Sequence, residues 1–144
     1  FTRIFNSSGL IIMRNEDLNR EIAESLVLYI KNLNDESNNG SLVVVEGKRD
    51  VNALRSLGFI GKILMLCHNN NFDRLVSEAE KYRKIILLLD LDRKGRSLTK
   101  KSAILLEGKK HKIDLFFRRN LSSITCGRVK QIEELSKYTE YIIT

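Results

Sequence analysis

The sequence predicts an α/β protein: four mostly parallel strands flanked by helices, with an extra helix at the N-terminus. Three observations predict it. Short, wholly aliphatic runs alternate with segments of helical spacing. The runs are apolar at every position, as strands covered by helices on both faces are. No repeat, low-complexity stretch or composition shift divides the 144 residues, a length that suits one domain with a real core.

Residues 1–12, FTRIFNSSGLII, lack the basic start, long apolar centre and small-residue cleavage site of a signal peptide. They are expected to be a flexible extension, or to precede a start at Met13. Residues 13–40 form a helix and linker, and residues 41–144 the main domain. In the helix, Leu18, Ile22, Leu26, Tyr29, Ile30 and Leu33 repeat at threes and fours from Asn15 onward. The polar run NDESNNGS at 34–41 is expected to end it. Leu42–Val45 is the first strand. Val51, Leu54 and Leu57 place a helix at 50–57, stopped by Gly58. Lys62–Leu66 is the second strand. Phe72, Leu75, Val76, Ala79 and Tyr82 mark a helix, with Asn69–Asn71 supplying caps. Ile85–Leu89 is the third strand, 97–106 a helix, Ile113–Phe117 the fourth strand and 128–138 the last helix.

The composition is that of a folded protein, 42% hydrophobic and 30% charged. A net charge of +7 favours a polyanionic partner such as nucleic acid. Two cysteines, Cys67 and Cys126, form no CxxC, which argues against a zinc site or disulfide framework and for a reducing, cytoplasmic setting. No apolar run is long enough to cross a membrane.

Glu46 closes the first strand in SLVVVEGKRD. Asp90 closes the third in IILLLDLDRKG, and Asp92 follows. In a parallel sheet all carboxyl ends lie on one edge, and ligands bind where the strand order reverses. If strands one and three are neighbours, Glu46, Asp90 and Asp92 converge. Gathered carboxylates repel, and a hard cation offsets that repulsion. Mg²⁺ takes oxygen ligands and binds through one or two carboxylates plus substrate phosphates. Gly47 and Gly95 follow the acidic turns, where a missing side chain lets backbone approach a ligand. Lys48, Arg49, Arg93, Lys94 and Arg96 surround the acids. Acids for a metal, ringed by cations for phosphate, suit work on a phosphodiester. Each part also has a plainer reading. Asp50 alone is as readily a cap or dipole residue, and DxD alone is a common loop pattern. The combination is more specific than its parts.

These residues resemble a known family. VVVEGKRD is similar to the first signature of the Toprim domain, an acid and glycine after a strand with an aspartate four residues on. LLLDLDRKG is similar to the second, the DxD after a later strand. The resemblance covers about residues 40–138. It implies a compact Rossmann-like Toprim fold, and the DRKG loop is most like small ribosomal-RNA-maturase-type and stand-alone archaeal members. By that resemblance Glu46 is a general acid or base and a metal ligand. Asp90 and Asp92 are the Mg²⁺-binding pair, Asp50 is a second acid, and Gly47 and Gly95 are turn glycines. The chain has no room for the domain that supplies a topoisomerase's tyrosine, and no primase zinc ribbon. A self-sufficient topoisomerase or primase is not expected.

A basic strip, Lys100, Lys101, Lys109, Lys110, Lys112, Arg118, Arg119, Arg128 and Lys130, either tracks a phosphate backbone or is a solvated surface. Phe116 and Phe117 read as core of the fourth strand more readily than as base-stacking residues. His68 and His111 read as plain polar residues, and Cys67 and Cys126 as structural. No Ser/His/Asp arrangement, GxxxxGK[ST] or post-strand GxGxxG is present.

The expected function is therefore Mg²⁺-dependent processing of nucleic acid, with Mn²⁺ as a substitute and RNA phosphodiester hydrolysis as the reaction. Glu46 moves a proton, and Lys48, Arg93 and Arg96 clamp phosphates. The alternative is a non-catalytic module that binds RNA or DNA or docks into a larger processing complex. A third reading is a metal-dependent phosphatase on small phosphate esters.

Overall fold

The computed structural model describes residues 4–5, 11–12, 14–67 and 71–142. Most of residues 1–12, with His68, Asn69 and Asn70, lies outside them. Near the N-terminus Ile4–Phe5 (β1) pairs antiparallel with Ile11–Ile12 (β2).

The main sheet holds β3 (Ser41–Val45), β4 (Ile63–Met65), β5 (Lys84–Leu87) and β6 (Ile113–Asp114) in the order β4-β3-β5-β6. All three pairings are parallel. The first and third aliphatic runs are therefore neighbours, with Val44 opposite Leu87. From β3 the chain moves to β4 through α2 (Lys48–Ser56). It then reverses past β3 to β5 through α3 (Phe72–Ala79) and continues to β6 through α4 (Arg93–Gly108). Right-handed crossovers in opposite directions put their helices on opposite faces. Accordingly Ala53 and Leu54 of α2 share a core with α1 (Asn15–Asn38), built on Val43, Val45, Ile86 and Leu88. Leu75, Ala79, Leu98 and Leu106 of α3 and α4 cover Leu42, Val44, Ile85 and Leu87 on the other face. Each fully buried Leu or Ile contributes about 2 kcal/mol, so β3 and β5 form a rigid base for whatever their ends carry. Among the described residues no helix is long and apolar enough to cross a membrane.

Four elements differ from expectation. Helix α1 does not stop at Leu33 but runs to Asn38. Its polar last turns need no buried face, because Glu36 is held 2.8 Å from Lys84 Nζ at the start of β5. The reversal into β3 falls on Gly40, whose φ of +98° suits glycine. Helix α4 begins at Arg93, so the DRKG segment is a first helical turn and not a loop. The fourth strand ends at Asp114. Asp114 Oδ1 accepts the Phe117 N–H at 3.0 Å and turns the chain into α5 (Phe116–Ile124). An apolar pair at helix-start spacing reads the same as one in a strand. Phe117 is core, but from a helix, where its carbonyl accepts the Tyr29 hydroxyl at 2.9 Å; Phe116 is exposed. The last helical segment is a run of 3₁₀ turns over Ile132–Tyr141 that buries Ile132, Leu135 and Tyr138. Cys67 and Cys126 are free and exposed rather than core residues.

Candidate metal and phosphate site at the sheet edge

The strand order reverses between β3 and β5, and the acids stand at that switch point. Glu46 follows the last residue of β3. Its Oε2 accepts the backbone N–H of Asp90 at 3.1 Å, joining the ends of the two central strands. Asp90 Oδ1 accepts the N–H of Ile132 at 2.8 Å, which docks the C-terminal segment on the edge. Asp92 caps α4: Oδ1 accepts the Gly95 N–H at 2.7 Å, and Oδ2 lies 3.4 Å from the donor Nε2 of Gln131. Asp50 is buried in the first turn of α2 and accepts the Gly47 N–H at 3.1 Å. The plainer cap reading of Asp50 is thus correct in geometry, and the cap also stands beside the acids.

The two glycines differ. A Cβ on Gly47 would meet nothing within 4 Å, so its surface is open to the cleft. A Cβ on Gly95 would lie 1.9 Å from the Asp90 carbonyl oxygen. Gly95 therefore lets α4 approach the strand end, not a ligand.

The electrostatics follow from this crowding. Burial, then the neighbouring Asp90 carboxyl and the charge of Asp92, push Glu46 from the usual 4.5 up to about 7; the Asp90 N–H partly opposes this. Burial and the charge of Asp90 likewise raise Asp50, against the N–H groups of Gly47 and Glu133. A carboxyl raised in the folded state holds its proton more tightly there than in the unfolded chain. Its contribution to stability falls as pH rises from about 4.5 to about 7, and the penalty is complete above that range. Removing the charge with Glu46→Gln is expected to raise Tm by about 2–4 °C at pH 8 in metal-free buffer, corresponding to about 1 kcal/mol after allowance for solvent screening. At pH 5 the difference should shrink towards zero. Melting curves at the two pH values check this.

Residues 41–124 match the Toprim domain, more than half of the chain. The chain belongs to the Toprim family. A UPF0292 protein of Pyrococcus abyssi is 40% identical over 93 residues, 65% of this chain and 70% of the relative. One from Archaeoglobus fulgidus is 35% identical over 115 residues, 78% of this chain and 88% of the relative. A solved structure of a protein from Aquifex aeolicus superposes with a TM-score of 0.64 at 30% identity, covering 74% of this chain and 94% of that one. These neighbours agree with a small Toprim protein of stand-alone archaeal type.

The Toprim edge opens into a cleft of about 580 Å³. Glu46, Asp50 and Asp90 line it with Lys48, Arg49 and Lys94. Met65, Cys67 and Leu98 form its apolar wall. The N-termini of α2 and α4 begin at this edge, where helix dipoles and free N–H groups favour anions. Arg93 and Arg96 are exposed in the first turn of α4, outside the cleft lining.

Three contributors escaped the sequence reading. Gln131 and Glu133 line the cleft, and Glu133 lies 3.9 Å from Arg49. Arg118, expected in an exposed basic strip, is buried under the edge: Nε donates to the Leu89 carbonyl and Nη2 to that of Lys130 at 3.1 Å. Their only sequence signal is local, a Gln131–Glu134 capping pair, and nothing in it points to acids some 40 positions away. The other cations of the strip are exposed, and His111 Nε2 lies 3.6 Å from a Glu80 carboxylate oxygen.

Toprim domains typically bind Mg²⁺. Among the described residues no three His, Cys, Asp or Glu side chains are grouped to hold a metal. Both Asp92 oxygens already accept a hydrogen bond, and Asp92 is outside the cleft lining. Glu46 and Asp90 are adjacent hard oxygen donors, and burial together with the Asp90 carboxyl raises Glu46. That donor pair fits a cation that combines one or two carboxylates with phosphate oxygens and water.

Proposed function

We propose that this Toprim protein processes nucleic acid, and that its reaction is Mg²⁺-dependent hydrolysis of a phosphodiester in RNA. The observation that carries the proposal is the Glu46–Asp90 pair at the switch point, with Glu46 poised at about 7. A group with that pKa is partly protonated at neutral pH, so it can give a proton to a leaving oxygen or take one from water. Asp90 would hold the cation, with Glu46 joining it when ionised and Asp92 contributing through water. When bound, Mg²⁺ polarises the scissile phosphate and offsets the charge that develops on it. Lys48, Arg49 and Lys94 hold flanking phosphates in the cleft, helped by the N-terminus of α2. Arg93, Arg96 and the exposed lysines of α4 extend the positive surface along the strand. Asp50, held by the Gly47 N–H, fixes the turn that aims Lys48 and Arg49.

A second reading has its own support. Asp92 is committed to capping and Asp90 Oδ1 to Ile132, as in a domain that keeps the edge for structure and only binds nucleic acid or docks into a larger complex. One panel separates the two. End-labelled structured RNA, single-stranded RNA, single-stranded DNA and duplex DNA are incubated with the protein in Mg²⁺, Mn²⁺ or EDTA. Metal-dependent cutting, strongest on RNA, is expected. Retarded but intact strands would favour the binding module. Mononucleotides complete the panel, and activity confined to them would mark a small-ester phosphatase.

A further inference from the structure

Residues 130–133 lie beyond the Toprim match at 41–124, yet they serve every acid of the edge except Glu46. Gln131 Nε2 donates to Asp92 Oδ2 at 3.4 Å, and the Ile132 N–H donates to Asp90 Oδ1 at 2.8 Å. The Glu133 N–H supports the Asp50 carboxylate. Three successive residues thus reach the two acids that follow the third aliphatic run and the acid in the first turn of α2.

One carbonyl holds this strap in register. Lys130 accepts from the Leu91 N–H at 2.6 Å and from Arg118 Nη2 at 3.1 Å. Leu91 sits between Asp90 and Asp92, and Arg118 Nε donates to Leu89, the residue before Asp90. The guanidinium and the Lys130 carbonyl together therefore tie the strap to the strand end on both sides of Asp90. Arg118 is 4% exposed, and its Nη1 is buried without a hydrogen-bond partner among the described residues. As packing alone this is a poor arrangement. A buried, incompletely paired cation costs stability, and an apolar side chain of similar volume would cost less.

We propose that Arg118 is a positioning residue: by locking the Gln131–Glu133 strap onto the end of β5, it sets the orientation in which Asp90 and Asp92 meet a divalent cation. The proposal rests on the metal reading above. Hydrogen bonds from behind a ligating carboxylate fix its geometry, and their loss typically costs about 10–100-fold in metal affinity.

The test uses the full chain and Mn²⁺ alone as the probe, with affinity read from the paramagnetic relaxation of water protons and repeated with RNA present. Arg118→Met and Gln131→Ala are expected to weaken Mn²⁺ binding by about 10-fold or more. Arg118→Lys, which keeps one donor, should lie between them and wild type. In cleavage assays at fixed metal, kcat should fall with KM little changed. Gln131→Ala leaves the guanidinium and the core in place, so it tests the strap even where Arg118→Met folds poorly. Wild-type Mn²⁺ binding that Gln131→Ala and Arg118→Lys leave unchanged, or tighten, overturns the positioning role alone. A wild-type protein that binds no Mn²⁺ with or without RNA overturns the metal reading, and this proposal with it.

Discussion

Replacing Glu46 with Gln is expected to slow metal-dependent strand cleavage by about 10²–10⁴-fold while leaving nucleic-acid binding intact. The amide has the shape of the acid, and its oxygen can still accept the Asp90 N–H, now at 3.1 Å, so the strand ends stay joined. It cannot carry a proton between water, phosphate and leaving group. Binding should hold or tighten slightly, because one negative charge leaves a cleft in which Lys48, Arg49 and Lys94 stand with Asp50, Asp90 and Glu133, and the repulsion of phosphate falls. Single-turnover cleavage and a gel shift on one preparation read both quantities. Cleavage that survives the change would remove Glu46 from proton transfer. Joint loss of cleavage and binding with a lowered Tm would point to damaged folding instead.

Gly95→Ala is expected to be the most destabilising single methyl addition at the site. Its Cβ would fall 1.9 Å from the Asp90 carbonyl oxygen and 2.8 Å from the Asp90 Cα. These are backbone atoms, so no flexible side chain can swing aside. Helix α4 would have to back away from β5, breaking the Asp92 cap on the Gly95 N–H. The expected cost is about 3 kcal/mol, or a fall in Tm on the order of 10 °C. Gly108→Ala is the control. It lies in the same helix with nothing within 4 Å of the added Cβ, and should be neutral or stabilising by up to about 1 kcal/mol. Thermal melts of the two variants beside wild type check this. Equal, small changes in both would show that the α4–β5 approach is looser than the structure describes.

The central layout was legible because it rests on strong, local signals. Val43 to Val45 and Ile85 to Leu89 are apolar at every position, which only two covered faces explain. The acid after each run then falls on a common edge by topology alone. What was not legible depends on contacts remote in sequence. Asp92 reads as a metal ligand, and nothing near it in sequence shows the hydrogen bond that Gln131 gives its carboxylate. Arg118 looks like one more surface cation until β5 and Lys130 are placed on either side of it. Phe116 and Phe117 continue an apolar strand pattern, and only the Asp114 cap turns them into a helix start. The two glycines serve different geometry: Gly47 faces the open cleft, whereas Gly95 is required by the Asp90 backbone.

The measurement that tests the central claim most directly is cleavage of end-labelled structured RNA by wild type and by Asp90→Asn, purified identically, in Mg²⁺ and in EDTA. The account expects wild type to cut only in Mg²⁺ and Asp90→Asn to cut at least about 100-fold more slowly. Equal cutting by the two proteins, or cutting that persists in EDTA, would contradict it, because the chemistry would then lie somewhere other than the Glu46–Asp90 edge.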